Sequence, residues 1–174
     1  MTVSVSVPAS ASNLGGGFDC VGVAVNRRLH VSVGVAAAGP AVAVQRSGTL
    51  APLGVAPEND LIVAGFRAAC VRAGRAVPDR LLVSADSDIP VGRGLGSSAA
   101  ALVAGALAAA AWFGDARDPA GIIALGTEIE GHHDNVAPAV LGGAVFSAAR
   151  PGAGVTTAAV DVHASLRFAF AIPD

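Results

Sequence analysis

The stretch that decides the fold is Pro90-Val91-Gly92-Arg93-Gly94-Leu95-Gly96-Ser97-Ser98-Ala99-Ala100, where a glycine-rich loop leads into two serines and an alanine-rich segment. Glycine lets the backbone approach a ligand closely and adopt conformations that other residues resist. Ser97 and Ser98 stand where a helix N-cap is expected, ahead of good helix formers. The N–H groups and the positive dipole at a helix start suit a phosphate. On this stretch alone, a glycine turn before a buried helix is as good an interpretation as a phosphate site.

The composition limits the kinds of protein that this chain can be. Of its 174 residues 53% are hydrophobic and 14% are charged, which is typical of a folded globular chain. All eleven basic residues are arginine. A Walker A loop and a protein kinase both need a lysine at the phosphates, so both are excluded. The formal net charge of −2 gives no electrostatic reason to expect nucleic acid or an anionic membrane as a partner.

Three features favour a cytoplasmic protein. The N-terminus lacks the basic and apolar regions of a signal peptide. The apolar run 99–113 is shorter than the roughly 20 residues that span a bilayer. The two isolated cysteines, Cys20 and Cys70, fit a reducing compartment, where they are expected to be small buried side chains.

Hydrophobic periodicity predicts a chain of strands and helices, and we expect them to form an α+β domain with the helices packed on a mixed, largely antiparallel sheet. Strands are predicted at 2–7, 21–25, 29–35, 41–45, 81–85, 144–148, 155–162 and 166–172. Pro8 is expected to end the first strand, and Pro151-Gly152-Ala153-Gly154 is expected to form a hairpin turn. Because the last predicted strand enters a turn at Asp174, we expect the chain to be the front part of a longer protein.

Cap signals place the helices. The predicted helices span 61–73, 99–113, 119–130 and 136–141. Asn59 or Asp60 can cap the first, which Gly74 closes in the C′ position. Asp118 followed by Pro119 gives an N-cap and a proline at the first helical position of the third.

Three polar, glycine-marked segments interrupt the apolar chain, and their motifs together resemble one family. Pro90-x3-Gly94-Leu95-Gly96-Ser97-Ser98-Ala99 resembles the phosphate loop of the GHMP kinases. Within that superfamily, Pro8-Ala9-x3-Asn13-Leu14-Gly15-x-Gly17-Phe18-Asp19 is similar to the N-terminal signature of the homoserine kinase branch. The segment Glu130-Gly131-His132-His133-Asp134-Asn135-Val136-Ala137-Pro138-Ala139 resembles that branch's Glu-Gly-His-Pro-Asp-Asn-x-Ala-Pro block, with His133 in place of proline.

The resemblance implies both a fold and an activity. The fold is a GHMP kinase N-terminal, ATP-binding domain (ribosomal protein S5 domain 2-like) over residues 1–174, with the C-terminal domain largely absent. The activity is phosphorylation of the side-chain hydroxyl of L-homoserine by ATP with Mg²⁺, in threonine biosynthesis. Arginines expected to hold the substrate carboxylate would follow Asp174, so we expect low activity from this chain. The implied partner is a small molecule, with no nucleic acid and no membrane, and a homodimer is a further possibility.

The resemblance also implies roles for individual residues. It places Ser98 and Glu130 on Mg²⁺, and a hydroxyl and a carboxylate are ligands that this ion accepts. Asp134 would meet the substrate ammonium. The implied catalytic residues are Ser98, Glu130 and Asn13, and the implied substrate-binding residues are Asn13, Asp19, His132, Asp134 and Asn135. The implied ATP-binding residues are Pro90, Val91, Gly92, Arg93, Gly94, Leu95, Gly96, Ser97, Ser98, Ala99 and Ala100.

Plainer interpretations stay open at this point. Ser98 can be a simple helix cap, Glu130 a solvated helix end, and Asn13 a turn residue. Asp134-Asn135 can cap the next helix, and Arg93 can be an exposed loop side chain. For the whole chain, the alternatives are another small-molecule GHMP kinase, acting on a mevalonate-type or sugar substrate, and a nucleotide-binding module without catalysis.

Overall fold

The structure, a computed structural model, describes residues 1–150, 152 and 154–172. These residues form one six-stranded mixed sheet with α-helices packed against it, so the predicted α+β class is confirmed. The strands are β1 (Thr2–Ser12), β2 (Val21–Val35), β3 (Val42–Gly48), β4 (Leu81–Ser87), β5 (Ala144–Arg150) and β6 (Gly154–Val160). The helices are α1 (Leu61–Arg72), α2 (Ser97–Phe113), α3 (Pro119–Glu130) and α4 (Val136–Leu141).

The long strand β2 organises the sheet. One edge of β2 pairs with β1, from Thr2 opposite Gly34 to Ser12 opposite Gly22. The other edge pairs with β5 near the start of β2 and with β4 near its end. All pairings are antiparallel except that of β3 with β4. The end of β1 and the start of β5 therefore lie at the same end of the sheet.

Three strand predictions are wrong. The first strand continues through Pro8 to Ser12, because a register shift between Pro8 and Ala9 accommodates the proline. The predicted strands 21–25 and 29–35 are one strand, β2. Residues 166–172 have the apolar alternation of a strand but form none, because no strand among the described residues lies beside them to pair with. Pro151 and Ala153 of the predicted hairpin turn lie outside the described residues, and the flanking strands β5 and β6 pair antiparallel.

The helix predictions are confirmed to within two residues at each end. Asp60 caps α1, since its carboxylate accepts a hydrogen bond from the Ile62 amide at 2.8 Å. Asp118 caps α3 in the same way, with the Gly121 amide as donor at 3.0 Å. No helix in the described part of the chain has the length and apolar character that crossing a bilayer requires.

The core lies between the sheet and the helices. Its largest fully buried side chains are Phe66, Leu81, Ile89, Leu102, Ile123, Val7, Val31, Val33, Val63, Val83, Val103 and Val136. Cys70 is also fully buried, and this burial raises the pKa of its thiol. Cys20 is only half-buried, contrary to the expectation that both cysteines are buried.

Two glycines allow α1 and α2 to pack with their backbones in contact. A Cβ atom on Gly65 would lie 2.2 Å from the Leu102 carbonyl oxygen. A Cβ atom on Gly105 would lie 2.0 Å from the Ile62 carbonyl oxygen and 2.7 Å from the Phe66 amide nitrogen. Both neighbours are backbone atoms of a helix, so they cannot move aside as a side chain could.

Gly105→Ala should therefore lower the free energy of unfolding by about 2 kcal/mol through overpacking. The direction is informative, because alanine in a helix interior normally stabilises by up to about 1 kcal/mol relative to glycine. Urea denaturation of the variant and the wild type measures the difference. Gly54→Ala is the control, since a Cβ atom there meets nothing within 4 Å. A Gly105→Ala protein as stable as wild type would show that the two helices do not pack this closely.

Candidate functional site

The glycine loop, residues 88–96, joins β4 to α2. Its three glycines all have positive φ angles, of 68° at Gly92, 71° at Gly94 and 63° at Gly96. Leu95 is 4% exposed and anchors the loop in the core. The Ser10 amide donates a hydrogen bond to the Leu95 carbonyl oxygen at 3.2 Å. The glycine loop is therefore fixed against the end of β1.

Helix α2 begins at Ser97 with Gly96 as its N-cap, so the predicted serine cap is wrong. The left-handed backbone of Gly96 starts the helix, and no described side chain caps it. The first amides of a helix have no intrahelical acceptor, so the N–H groups of Ser97, Ser98 and Ala99 face outward beyond the helix start. The Ala99 and Ala100 side chains are fully buried, and the Ala100 amide donates to the Gly96 carbonyl oxygen at 2.9 Å, so of these two residues only Ala99 has a backbone N–H left for a ligand.

The other residues of the predicted phosphate loop line its rim. Val91 and Arg93 are exposed, and Pro90 is half-buried. A cleft of about 230 Å³ opens beside this rim, lined mainly by apolar side chains. Its lining includes Leu50, Leu53, Val55, Leu61, Ile62, Ile89, Val91, Ser97 and Ser98.

Ser98 and Glu130, which the resemblance places together on Mg²⁺, are in direct contact. The Ser98 hydroxyl donates a hydrogen bond to the Glu130 carboxylate, and Glu130 is the last residue of α3. Gly131 closes that helix with a φ of 86°, and only 11% of the Glu130 side chain is exposed. A carboxylate so shielded from water, at the negative end of a helix dipole, favours a nearby cation.

Asp134 lies in the loop that begins at Gly131 and is almost fully buried, with 4% of its side chain exposed. Its Oδ1 atom is 3.1 Å from His132 Nδ1, and His132 Nε2 is 3.8 Å from a Glu130 oxygen. The half-exposed His132 ring thus stands between the two carboxylates. Gly22 of β2 leaves room for this loop, because a Cβ atom there would lie 2.0 Å from the Asp134 carbonyl oxygen.

Asn135 ties the loop to β1. Its Oδ1 atom accepts a hydrogen bond from the Ser10 hydroxyl at 3.0 Å, and its Nδ2 atom donates to Ser12 Oγ at 2.8 Å. A Cβ atom on Gly96 would lie 2.2 Å from Ser10 Oγ and 3.0 Å from Asn135 Oδ1. The glycine loop, the end of β1 and the loop that begins at Gly131 therefore meet at Gly96.

Asn13 and Asp19 begin and end an exposed loop after β1. Both have left-handed backbones, and the Asp19 amide donates to Asn13 Oδ1 at 2.9 Å. Asn13 Nδ2 reaches Ser12 Oγ at 3.3 Å, which connects it to Asn135. Among the described residues, the Asp19 carboxylate has no hydrogen-bond or ion-pair partner. The three predicted polar segments thus lie next to one another, although Asn13 and Asp19 do not touch Asp134 directly.

Sequence reasoning missed Ser10, Ser12 and Gly22. A signal for the serines was present, since the alternation of Val3, Val5 and Val7 continues at Ala9 and Ala11. Treating Pro8 as a strand end concealed it. Nothing in the sequence around Gly22 indicates that another backbone passes beside it.

Comparison with known proteins gives a consistent result. Residues 60–143 match the family described as the GHMP kinases N terminal domain. The chain is 41% identical to a homoserine kinase of Cutibacterium acnes, covering 99% of this chain and 59% of that one. For a homoserine kinase of Corynebacterium kroppenstedtii, the identity is 42%, and the coverage is 99% and 57%.

A solved structure supports the same likeness. The crystal structure of homoserine kinase from Cytophaga hutchinsonii is similar with a TM-score of 0.76 and 25% identity, over 94% of this chain and 53% of that one. The chain thus spans between about half and three-fifths of the length of these relatives.

Proposed function

We propose that this chain is part of a GHMP kinase and that it transfers the γ-phosphoryl group of ATP to the side-chain hydroxyl of L-homoserine, because residues 60–143 match the GHMP kinases N terminal domain. The observation that carries the proposal is the meeting of three segments at Gly96. There the glycine loop, which suits a phosphate, lies against residues that suit an amino acid. The identity to homoserine kinases over 99% of the chain supports the choice of substrate.

The glycine loop and the start of α2 are the proposed site of the ATP phosphates. Outward N–H groups at Ser97, Ser98 and Ala99 can each donate to a phosphate oxygen, and the helix dipole adds positive potential. Arg93, at the exposed tip of the loop, can add a further positive charge. The apolar cleft beside the loop has Ser97 and Ser98 in its lining, so a base placed there leaves the phosphates at the helix start.

The oxygen atoms of Ser98 and Glu130 fit a magnesium ion. Mg²⁺ commonly takes one or two carboxylates, with water and phosphate oxygens completing its shell. A hydroxyl in contact with a shielded carboxylate, beside the proposed phosphate site, offers that set. When bound, Mg²⁺ neutralises charge that develops on the β- and γ-phosphate oxygens.

Asp134 is the proposed partner of the substrate ammonium. Its buried carboxylate would make a stronger, charge-assisted hydrogen bond to an ammonium than an exposed one would. Four further residues are proposed to line the same pocket. His132 contacts Asp134, and the others, Asn13, Asp19 and Asn135, lie on the neighbouring segments.

The proposed mechanism relies on positioning and charge stabilisation. No described side chain is placed as an evident base for the substrate hydroxyl, whereas hydroxyl and phosphate can be held side by side across Gly96. Holding two reactants in a reactive geometry can supply about 7 to 11 kcal/mol of the barrier.

Asp134→Asn tests the substrate assignment. We expect L-homoserine affinity to fall at least about tenfold, because a hydrogen bond to a charged group contributes about 1.5 to 3 kcal/mol. Calorimetry in the presence of Mg²⁺ and a non-hydrolysable ATP analogue measures it, and affinity for the analogue should not change.

Asp79→Asn, on an exposed carboxylate, is the matched control and should bind as wild type does. A panel of L-homoserine, mevalonate and hexoses at fixed nucleotide separates the substrate classes. Wild-type protein that binds mevalonate or a sugar but not L-homoserine would contradict the proposal. Nucleotide binding with no binding of any of these substrates would favour a nucleotide-binding module.

A further inference from the structure

His133 connects the loop that begins at Gly131 to β5. Its Nδ1 atom lies 2.8 Å from the Ser147 hydroxyl, and its Nε2 atom lies 3.2 Å from the Ala149 amide nitrogen. Ser147 is fully buried, and His133 is half-buried. The ring therefore bridges two residues of β5, just past the part of β5 that pairs with β2, with its neighbours His132 and Asp134 on the proposed substrate side.

The partners of the ring fix its tautomer. A backbone N–H can only donate, so His133 Nε2 must accept from Ala149 and cannot carry a proton. Nδ1 then carries the proton and donates it to Ser147 Oγ. The Ser147 hydroxyl lies 3.5 Å from the Cys20 carbonyl oxygen, which also accepts from the Ser147 amide at 2.7 Å. Every donor thus points the same way, from Ala149 through His133 and Ser147 to Cys20.

This hydrogen-bond chain joins the two halves of the proposed substrate pocket. Cys20 directly follows Asp19, at the end of the loop that Asn13 begins. His133 directly precedes Asp134. β5 lies between the two segments and contacts both, through Ser147 and Ala149.

We propose that His133, held as the neutral Nδ1–H tautomer, is a positioning residue that fixes Asp134 relative to the Asn13–Asp19 loop. The role for the substrate rests on the proposed function. The block that this segment resembles has proline at this place, which restricts the backbone covalently. Here two hydrogen bonds to β5 restrict it instead.

The experiment has a part that does not depend on catalysis. In wild-type protein labelled with ¹⁵N at histidine, NMR should show His133 with a protonated Nδ1 and an unprotonated Nε2 at neutral pH. His133→Ala and His133→Asn, whose spectra also assign the signal, supply the functional part. The asparagine amide can still donate to Ser147 from the Nδ1 position, whereas alanine cannot.

We expect His133→Ala to weaken L-homoserine binding about tenfold, because the segment that carries Asp134 loses the equivalent of about one hydrogen bond to β5. His133→Asn should recover most of that loss, and neither should change affinity for a non-hydrolysable ATP analogue with Mg²⁺. His30→Ala is the control, since His30 is exposed and lies on β2 away from this loop. Unchanged L-homoserine affinity in His133→Ala, or equal loss in both variants, would overturn the proposal.

The outcomes separate this inference from the proposed function. If the wild type binds no L-homoserine, the proposed function fails, and a proton on Nε2 would independently overturn the hydrogen-bond chain. If His133→Ala does not fold, Ser147→Ala replaces it. That variant should shift the NMR signals of residues 13–19 and 131–135 together, and a shift confined to β5 would overturn the coupling.

Discussion

Glu130→Gln should reduce Mg²⁺-dependent turnover about 100-fold or more, with a parallel loss of metal-dependent nucleotide affinity. Glutamine keeps the shape of the side chain and can still accept the Ser98 hydrogen bond, but it removes the negative charge. An ion that neutralises phosphate charge contributes several kcal/mol to the transition state, so weakening its site should affect rate more than substrate binding. Coupled ADP release and calorimetry, with and without Mg²⁺, measure the two effects.

Glu128→Gln is a matched control on the same helix. Glu128 lies two residues earlier, its side chain is 64% exposed, and it pairs with Arg72 at 2.7 Å. This variant should behave as wild type, because exposed ion pairs contribute little. Ser98→Ala should resemble Glu130→Gln, since it removes the other proposed oxygen ligand. Nucleotide binding that keeps its full Mg²⁺ dependence in both variants would show that the ion lies elsewhere.

Much of the fold could be predicted because local signals were strong. The caps at Asp60 and Asp118 and the positions of all four helices followed from side-chain chemistry and periodicity. The failures came where the presence or absence of a long-range strand pairing overrode a local signal. Pro8 tolerates its place in β1 because a register shift accommodates it, and 166–172 has the period of a strand without a strand beside it.

The site shows the same division. The motif resemblance pointed to Ser98 and Glu130. These residues are 32 positions apart in the chain, and the fold brings them into contact. It could not name Ser10 or Ser12, because their role depends on the register of β1 and on the place where Asn135 crosses it. Nor could it indicate that Ser98 faces Glu130 and leaves the cap of α2 to Gly96. Such roles arise only when separate segments meet.

Among the glycine-to-alanine substitutions in the glycine loop, Gly96→Ala should be the most damaging. We expect the free energy of unfolding to fall by about 3 kcal/mol, from two separate causes. We also expect nucleotide affinity to fall. A left-handed backbone costs a residue with a Cβ atom roughly 1 to 2 kcal/mol. The added atom would also lie 2.2 Å from Ser10 Oγ and 3.1 Å from the Ser10 carbonyl oxygen. Thermal unfolding and calorimetry with an ATP analogue measure both losses.

Gly94→Ala separates the two causes, because Gly94 has a φ of 71° and its added Cβ meets nothing within 4 Å. It should show only the backbone cost. Ser10 is fully buried, so its hydroxyl cannot turn into solvent to make room. Removing that hydroxyl should therefore make Ser10→Ala/Gly96→Ala more stable than Gly96→Ala alone, despite the lost hydrogen bond to Asn135. If instead Gly96→Ala and Gly94→Ala behave alike, the glycine loop does not lie against β1, and the phosphate and substrate segments do not share one site.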